Sequence, residues 1–251
     1  MTGCTVSGKK LWVPALWLLL WQGAAMAVGE ELLLPGPGPV FSRMFSLLGE
    51  GDFWRSCGHS LGRIGAGFLL GVFFGCLLAA VSARFPLAGD FLAPVMAAVK
   101  STPVVSFVIL ALVWIKAGRM AVFISFLMVL PMVWQSVRQG IAAADPLLLE
   151  MAEVYRVPPL LRLRAVYLPA VRTHLLSALQ VGLGFAWKAG IAGEVLAIAP
   201  GSIGGKLHDA KTYLEMPELF AWTGFIILLS VGLERGMVAL LDRFFPGKEG
   251  T

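Results

Sequence analysis

From Leu61 to Ala83 the chain reads LGRIGAGFLLGVFFGCLLAAVSA, an apolar run of 23 residues in which Arg63 is the single charge. A helix of about 20 apolar residues crosses a hydrocarbon core of about 30 Å, and in lipid the backbone must satisfy its own hydrogen bonds, so this segment is read as a membrane-crossing helix. Further apolar runs occupy 11–28, 91–115, 120–137, 173–199 and 219–241. Together they predict an all-α, polytopic membrane helix bundle of about six transmembrane helices, or five if the first is cleaved. Ala25-Met26-Ala27 resembles a signal-peptide cleavage site, but the run before it is longer than a typical signal core, which favours retention. Charged residues are only 14% of the chain against about 25% in soluble proteins, which leaves no stretch for a separate catalytic domain. The chain is therefore read as one domain over 1–251, with a first helix or signal-like segment at 11–28 and a core at 61–241.

Gly67, Gly71 and Gly75 recur every four residues, as do Gly182, Ala186 and Gly190, so each set lines one helix face and admits a close neighbour. Pro35, Pro37 and Pro39 with their intervening glycines argue for an external loop, followed by a short amphipathic piece. The run at 91–115 is interrupted by Lys100-Ser101-Thr102-Pro103. Either one tilted helix carries a polar break, or an interfacial helix ends there and a short span begins.

The net charge of +5 fits cytoplasmic loop positivity and contact with membrane lipid; no basic patch interleaved with aromatics points to nucleic acid. With both termini inside, Lys9, Lys10, Arg84, Arg138, Arg156, Arg162, Arg164, Arg172, Arg243 and Lys248 are cytoplasmic. Cys4, Cys57 and Cys76, like His59, His174 and His208, lack ligand spacing, so no metal, cofactor or catalytic residue is expected. GSIGGKL, 201–207, lacks the first glycine of a phosphate loop and has Leu207 where Ser or Thr would meet magnesium.

One stretch, EMAEVYRVPPLLRLRAVYLPA at 150–170, is polar amid these runs and lies within a loop over 139–172. Asp145 followed by Pro146 starts a short helix that ends before Pro158-Pro159, and a second short helix leads to Pro169 and the next span. Physical chemistry alone leaves two roles open, a lipid-anchored connector or a docking surface for a cytoplasmic partner.

Glu150-Met151-Ala152, three residues, Arg156, nine residues, then Val166-Tyr167-Leu168-Pro169 resembles the cytoplasmic loop signature of ABC importer permeases, Glu-Ala-Ala, Gly, Ile-x-Leu-Pro, with the same spacing. LGRIGAGFLLG, GIAAADPLLLEMA, WKAGIAGEVL and GSIGGKLHDAKTYLEMPELFAW are similar to permeases of the nitrate, sulfonate, taurine and bicarbonate type. The resemblance implies a multi-pass protein of the bacterial cytoplasmic membrane, a separate ABC ATPase subunit, and a second permease copy in a homodimer. It also implies a periplasmic or lipid-anchored substrate-binding protein. It makes Glu150, Met151, Ala152, Arg156, Val166, Leu168 and Pro169 the ATPase-coupling residues. Arg156 replaces the signature glycine, so an ordinary helical conformation is expected there, with the neighbouring prolines making the turn.

Candidates for the translocation pathway are Lys188, Glu194, Ser101, Thr102, Pro103 and Ser106, polar groups within apolar runs. Lys188 and Glu194 are six residues apart, about 600° of helical rotation, so they occupy different faces. The expected cargo is a small anion such as nitrate, a sulfonate or taurine, although the resemblance also covers small heterocyclic precursors. A secondary transporter or channel is the alternative, but it would need its own coupling charges and often an inverted repeat.

Overall fold

The computed structural model describes residues 12–244; Cys4, Lys9, Lys10 and Lys248 lie outside them. The order is α1 (Trp12–Val28), α2 (Pro37–Leu48), α3 (Gly51–Arg84), α4 (Pro86–Ser101), α5 (Val104–Ala111), α6 (Met120–Ala142), α7 (Pro146–Val154), α8 (Pro159–Arg162), α9 (Leu168–Ala197), α10 (Ile203–Thr212) and α11 (Met216–Phe244).

The glycine stripes set the core. Gly67 lies against Val122 and Ser125, Gly71 against Val129, and Gly75 against Val133, so α3 and α6 run parallel in close contact. On its other side α6 meets α9 in the opposite direction: Gly140 faces Val171, Gly182 faces Val129 and Gly193 faces Ile124. The Ser125 hydroxyl donates to the Ala186 carbonyl at 3.0 Å, made possible by this close approach. Ile64, Phe68, Val129, Val133, Leu183 and Trp187 fill the seam.

Two parallel helices need a return crossing between them, and α4 with α5 supplies it. The two are bent by 100° at Ser101–Pro103. Gly89 sits beside Arg138 while Lys100 donates to Gln135 at 2.6 Å, so α4 gains little height along α6 and α5 makes the climb. The geometry favours the second sequence alternative, a flat helix followed by a short span.

Among the described residues four helices are long and apolar enough to cross a membrane, Gly51–Arg84, Ala117–Ala142, Pro159–Ala197 and Met216–Leu241, and the bent pair makes a fifth. The sixth candidate, α1, is a shorter apolar helix over its described residues Trp12–Val28, so the count of six is not confirmed. Two expectations change. Pro37 and Pro39 do not exclude a helix but open α2, since the first turn needs no N–H from them. Pro169 falls in the first turn of α9, but no break sets α9 apart from α8: Pro159–Ala197 is a continuous helical stretch of 39 residues.

The bundle has two ends. One carries Arg84, the 139–172 loop and the end of α11; the other carries α2, the start of α3, residues 112–119 and α10, a helix within what reads in sequence as a loop. At the second end Arg43 joins Glu218 and Glu50, both at 2.9 Å, and pins α2 to α11. Lys206 on α10 pairs with Asp52, whose hydrogen bond holds the ammonium above its ordinary pKa.

Candidate functional site

The 139–172 loop leaves the bundle as an exposed hook. The Asp145 carboxylate accepts from the Leu147 amide at 2.9 Å and caps α7, whose first residue is Pro146. Of the nine residues in α7 only Ala152 is buried. Glu150 points to solvent, as do Leu147, Leu148, Met151 and Val154. This chain therefore presents an apolar strip beside a carboxylate that none of the other described residues covers.

The end of α7 corrects the expectation for Arg156. Its φ is +50°, in the left-handed region. The Val157 amide donates to the Ala152 carbonyl at 2.9 Å and the Arg156 amide to Glu153 at 3.1 Å, the paired bonds of a Schellman turn. Arginine thus adopts the conformation that the signature glycine would take, because these two bonds satisfy the terminal carbonyls only in that geometry. A left-handed L-residue costs about 1–2 kcal/mol. Part of this is offset in a glycine variant by its freer unfolded chain. Arg156→Gly should therefore stabilise the loop by about 1 kcal/mol, read as slower amide hydrogen exchange across α7, whereas Arg156→Ala should not.

Beyond the hook, Val166, Leu168 and Pro169 lie where the helix changes pitch. Leu163–Tyr167 forms a π turn between α8 and α9. Pro169 has no N–H for the carbonyl of Ala165 and its ring crowds that oxygen, so a wider turn just before it lets the helix continue. Leu168 is exposed at this junction.

The pathway candidates separate into three places. Ser101 and Thr102 turn their hydroxyls back on the Ala98 carbonyl at 3.1 and 2.8 Å, and Pro103 caps α5, so the three form the elbow; Ser106 is exposed one turn later. Lys188 faces outward from α9, in line with the exposed Ser177, Gln180, Val181, Phe185 and Ala192. It shares an open cavity of about 390 Å³ with Gln180 and with Glu234 of α11. The sequence gives no reason to pair Glu234 with Lys188, since nothing in the chain links positions 46 residues apart.

Glu194 points elsewhere, as the helical arithmetic requires. It is 0% exposed, and its Oε2 accepts from the Ser60 hydroxyl at 2.7 Å and the Gly204 amide at 3.3 Å. Its Oε1 lies 3.9 Å from Arg63 Nη1. Ser60 also accepts from the Ile203 amide at 3.0 Å. In this conformation Glu194 ties α9 to α3 and α10 and is closed off from any open surface of the described residues. Ser60, Arg63 and Gly204 had not been singled out as its partners; Gly204, packed on the Glu194 Cβ, is demanded by that contact.

Residues 71–244 match the family described as binding-protein-dependent transport system inner membrane component. A taurine transport system permease of Escherichia coli is 24% identical over 232 residues, covering 90% of this chain and 84% of that protein. A putative aliphatic sulfonates transport permease of Bacillus subtilis is 25% identical, covering 94% and 85%. A bicarbonate transport system permease of Synechocystis is 24% identical, covering 92% and 86%. The crystal structure of an amino acid ABC transporter with histidines shares the fold at a TM-score of 0.61 and 17% identity, over 77% of this chain and 92% of that one. The family match, which takes in the hook, the elbow and both long helices after them, sets aside the secondary-transporter alternative. The chain belongs to the binding-protein-dependent transport system inner membrane components and is an ABC importer permease.

Proposed function

We propose that this permease works as a single domain over 1–251, paired with a second copy, and that the two α9 helices line a path for a small anion. The observation that carries this reading is the uncovered face of α9. Lys188 lies nine residues before Ala197, about 14 Å along the helix, close to half of a hydrocarbon core of about 30 Å. A cation at that depth is costly unless an anion or a polar path meets it. Relatives named for taurine, aliphatic sulfonates and bicarbonate support an anionic cargo.

In this reading a separate ATPase subunit grips the 139–172 hook through Glu150, Met151 and Ala152, with Arg156 setting the turn. Val166, Leu168 and Pro169 pass its motion into α9. The basic residues of the hook support a cytoplasmic position for that end, with both termini inside and the protein in the bacterial inner membrane. A substrate-binding protein then meets the end that carries α2 and α10. Ser101, Thr102, Pro103 and Ser106 act as the hinge of the short span rather than as ligands.

The test is uptake by proteoliposomes holding permease, ATPase and loaded binding protein. Lys188→Ala should lower anion uptake at least tenfold while ATP turnover persists, and Lys188→Arg should retain most of it. Unchanged uptake in Lys188→Ala would place the path away from α9.

A further inference from the structure

A large apolar groove lies on the opposite flank of α6 and has no part in the pathway just described. It measures about 720 Å³ and is walled by Leu70 and Phe74 of α3 and by Phe123 and Phe126 of α6. Lys116 and Arg119 close its upper end, both exposed, and no carboxylate among the described residues lies within ion-pairing distance of either. Trp114 stands beside them, 79% exposed. A side chain of that kind prefers the boundary between acyl chains and headgroups, which sets the two cations at headgroup height.

We infer that this groove is a binding site for one anionic phospholipid, with an acyl chain along the phenylalanines and the phosphate on Lys116 and Arg119. Charge complementarity selects the occupant. Lipid tails are as apolar as the groove wall, so an acyl chain gains little by moving into it and discrimination must come from the headgroup. Each nearby Lys or Arg favours an anionic headgroup about fivefold. A free anion would have no use for four apolar walls. A second permease copy is disfavoured by direction, because Phe123, Phe126, Val122 and Arg119 lie about half a helical turn from Ile124 and Ser125, which face α9.

Native mass spectrometry of the assembled transporter, released from membranes and titrated with phosphatidylglycerol or phosphatidylcholine, reads the site directly. The unmodified protein should retain phosphatidylglycerol in preference. Lys116→Ala with Arg119→Ala should weaken that retention about thirtyfold while leaving phosphatidylcholine unchanged. Leu70→Trp, at an exposed position, should fill the groove and weaken both lipids. Arg55→Ala with Lys211→Ala removes the same charge from the same end away from the groove and should change neither. Equal losses in that control pair would mean diffuse attraction and overturn the site. Displacement by inorganic phosphate with no effect of Leu70→Trp would make it a free-anion site and overturn the lipid assignment. Loss of the second copy in the Lys116/Arg119 variant, with lipid retention intact, would give the groove to the protein interface and overturn it as well.

Discussion

Glu150→Lys should give a folded permease that hydrolysis no longer drives: ATP turnover by its partner continues while uptake falls at least tenfold. Within this chain Glu150 makes no contact that the fold of the hook depends on. It is exposed on α7, where Ala152 alone is buried, so charge reversal leaves the hook intact. Across a docked interface the same change matters greatly. Removing one partner of a buried, hydrogen-bonded charge pair costs about 2–5 kcal/mol, and a lysine adds repulsion to that loss. At the low end this is roughly thirtyfold in affinity for the ATPase. Uptake in proteoliposomes, compared with circular dichroism of the same preparation, separates the two effects. Full uptake by the Glu150→Lys chain would sink the assignment of α7 as the docking element.

A second large effect is expected at the α3–α6 seam. A Cβ on Gly71 would lie 2.7 Å from the Val129 Cβ and 3.1 Å from the Phe126 carbonyl oxygen, and backbone cannot rotate out of the way. Gly71→Leu must therefore push the two helices apart. Overpacking typically costs about 1–3 kcal/mol, and losing contacts along the rest of the seam places this variant at or above the top of that range. Gly65→Leu is the matched control on the same helix, since nothing lies within 4 Å of its would-be Cβ. There leucine should be neutral or slightly stabilising, because glycine in a helix costs up to about 1 kcal/mol. Thermal unfolding of the purified permeases should show the gap; similar midpoints would mean that the helices slide apart freely.

These two positions also show why some of the molecule was legible in its sequence. The four-residue recurrence of Gly67, Gly71 and Gly75 is a local pattern with one economical explanation, and the seam follows from it. Asp145-Pro146 likewise marked the start of α7 through chemistry confined to three residues. What escaped depends on contacts distant along the chain or on competition between local rules. The left-handed Arg156 defies residue preference because two backbone bonds outweigh it. Ile198 and Leu214 end their helices the same way, at φ of +51° and +58°. The tie of Glu194 to Ser60 joins residues 134 apart, and only the fold could disclose it. Helical arithmetic did separate Lys188 from Glu194, but not which of them faced outward.

The helical stretch from Pro159 to Ala197, carried through its π turn without a gap, has the proportions of a lever. At about 1.5 Å per residue its 39 residues reach about 58 Å, so a 5° tilt about its base displaces the far tip by about 5 Å. That tip bears the Glu194 clasp on α10, so a small rocking of α9 at the π turn would be felt at the opposite end of the bundle.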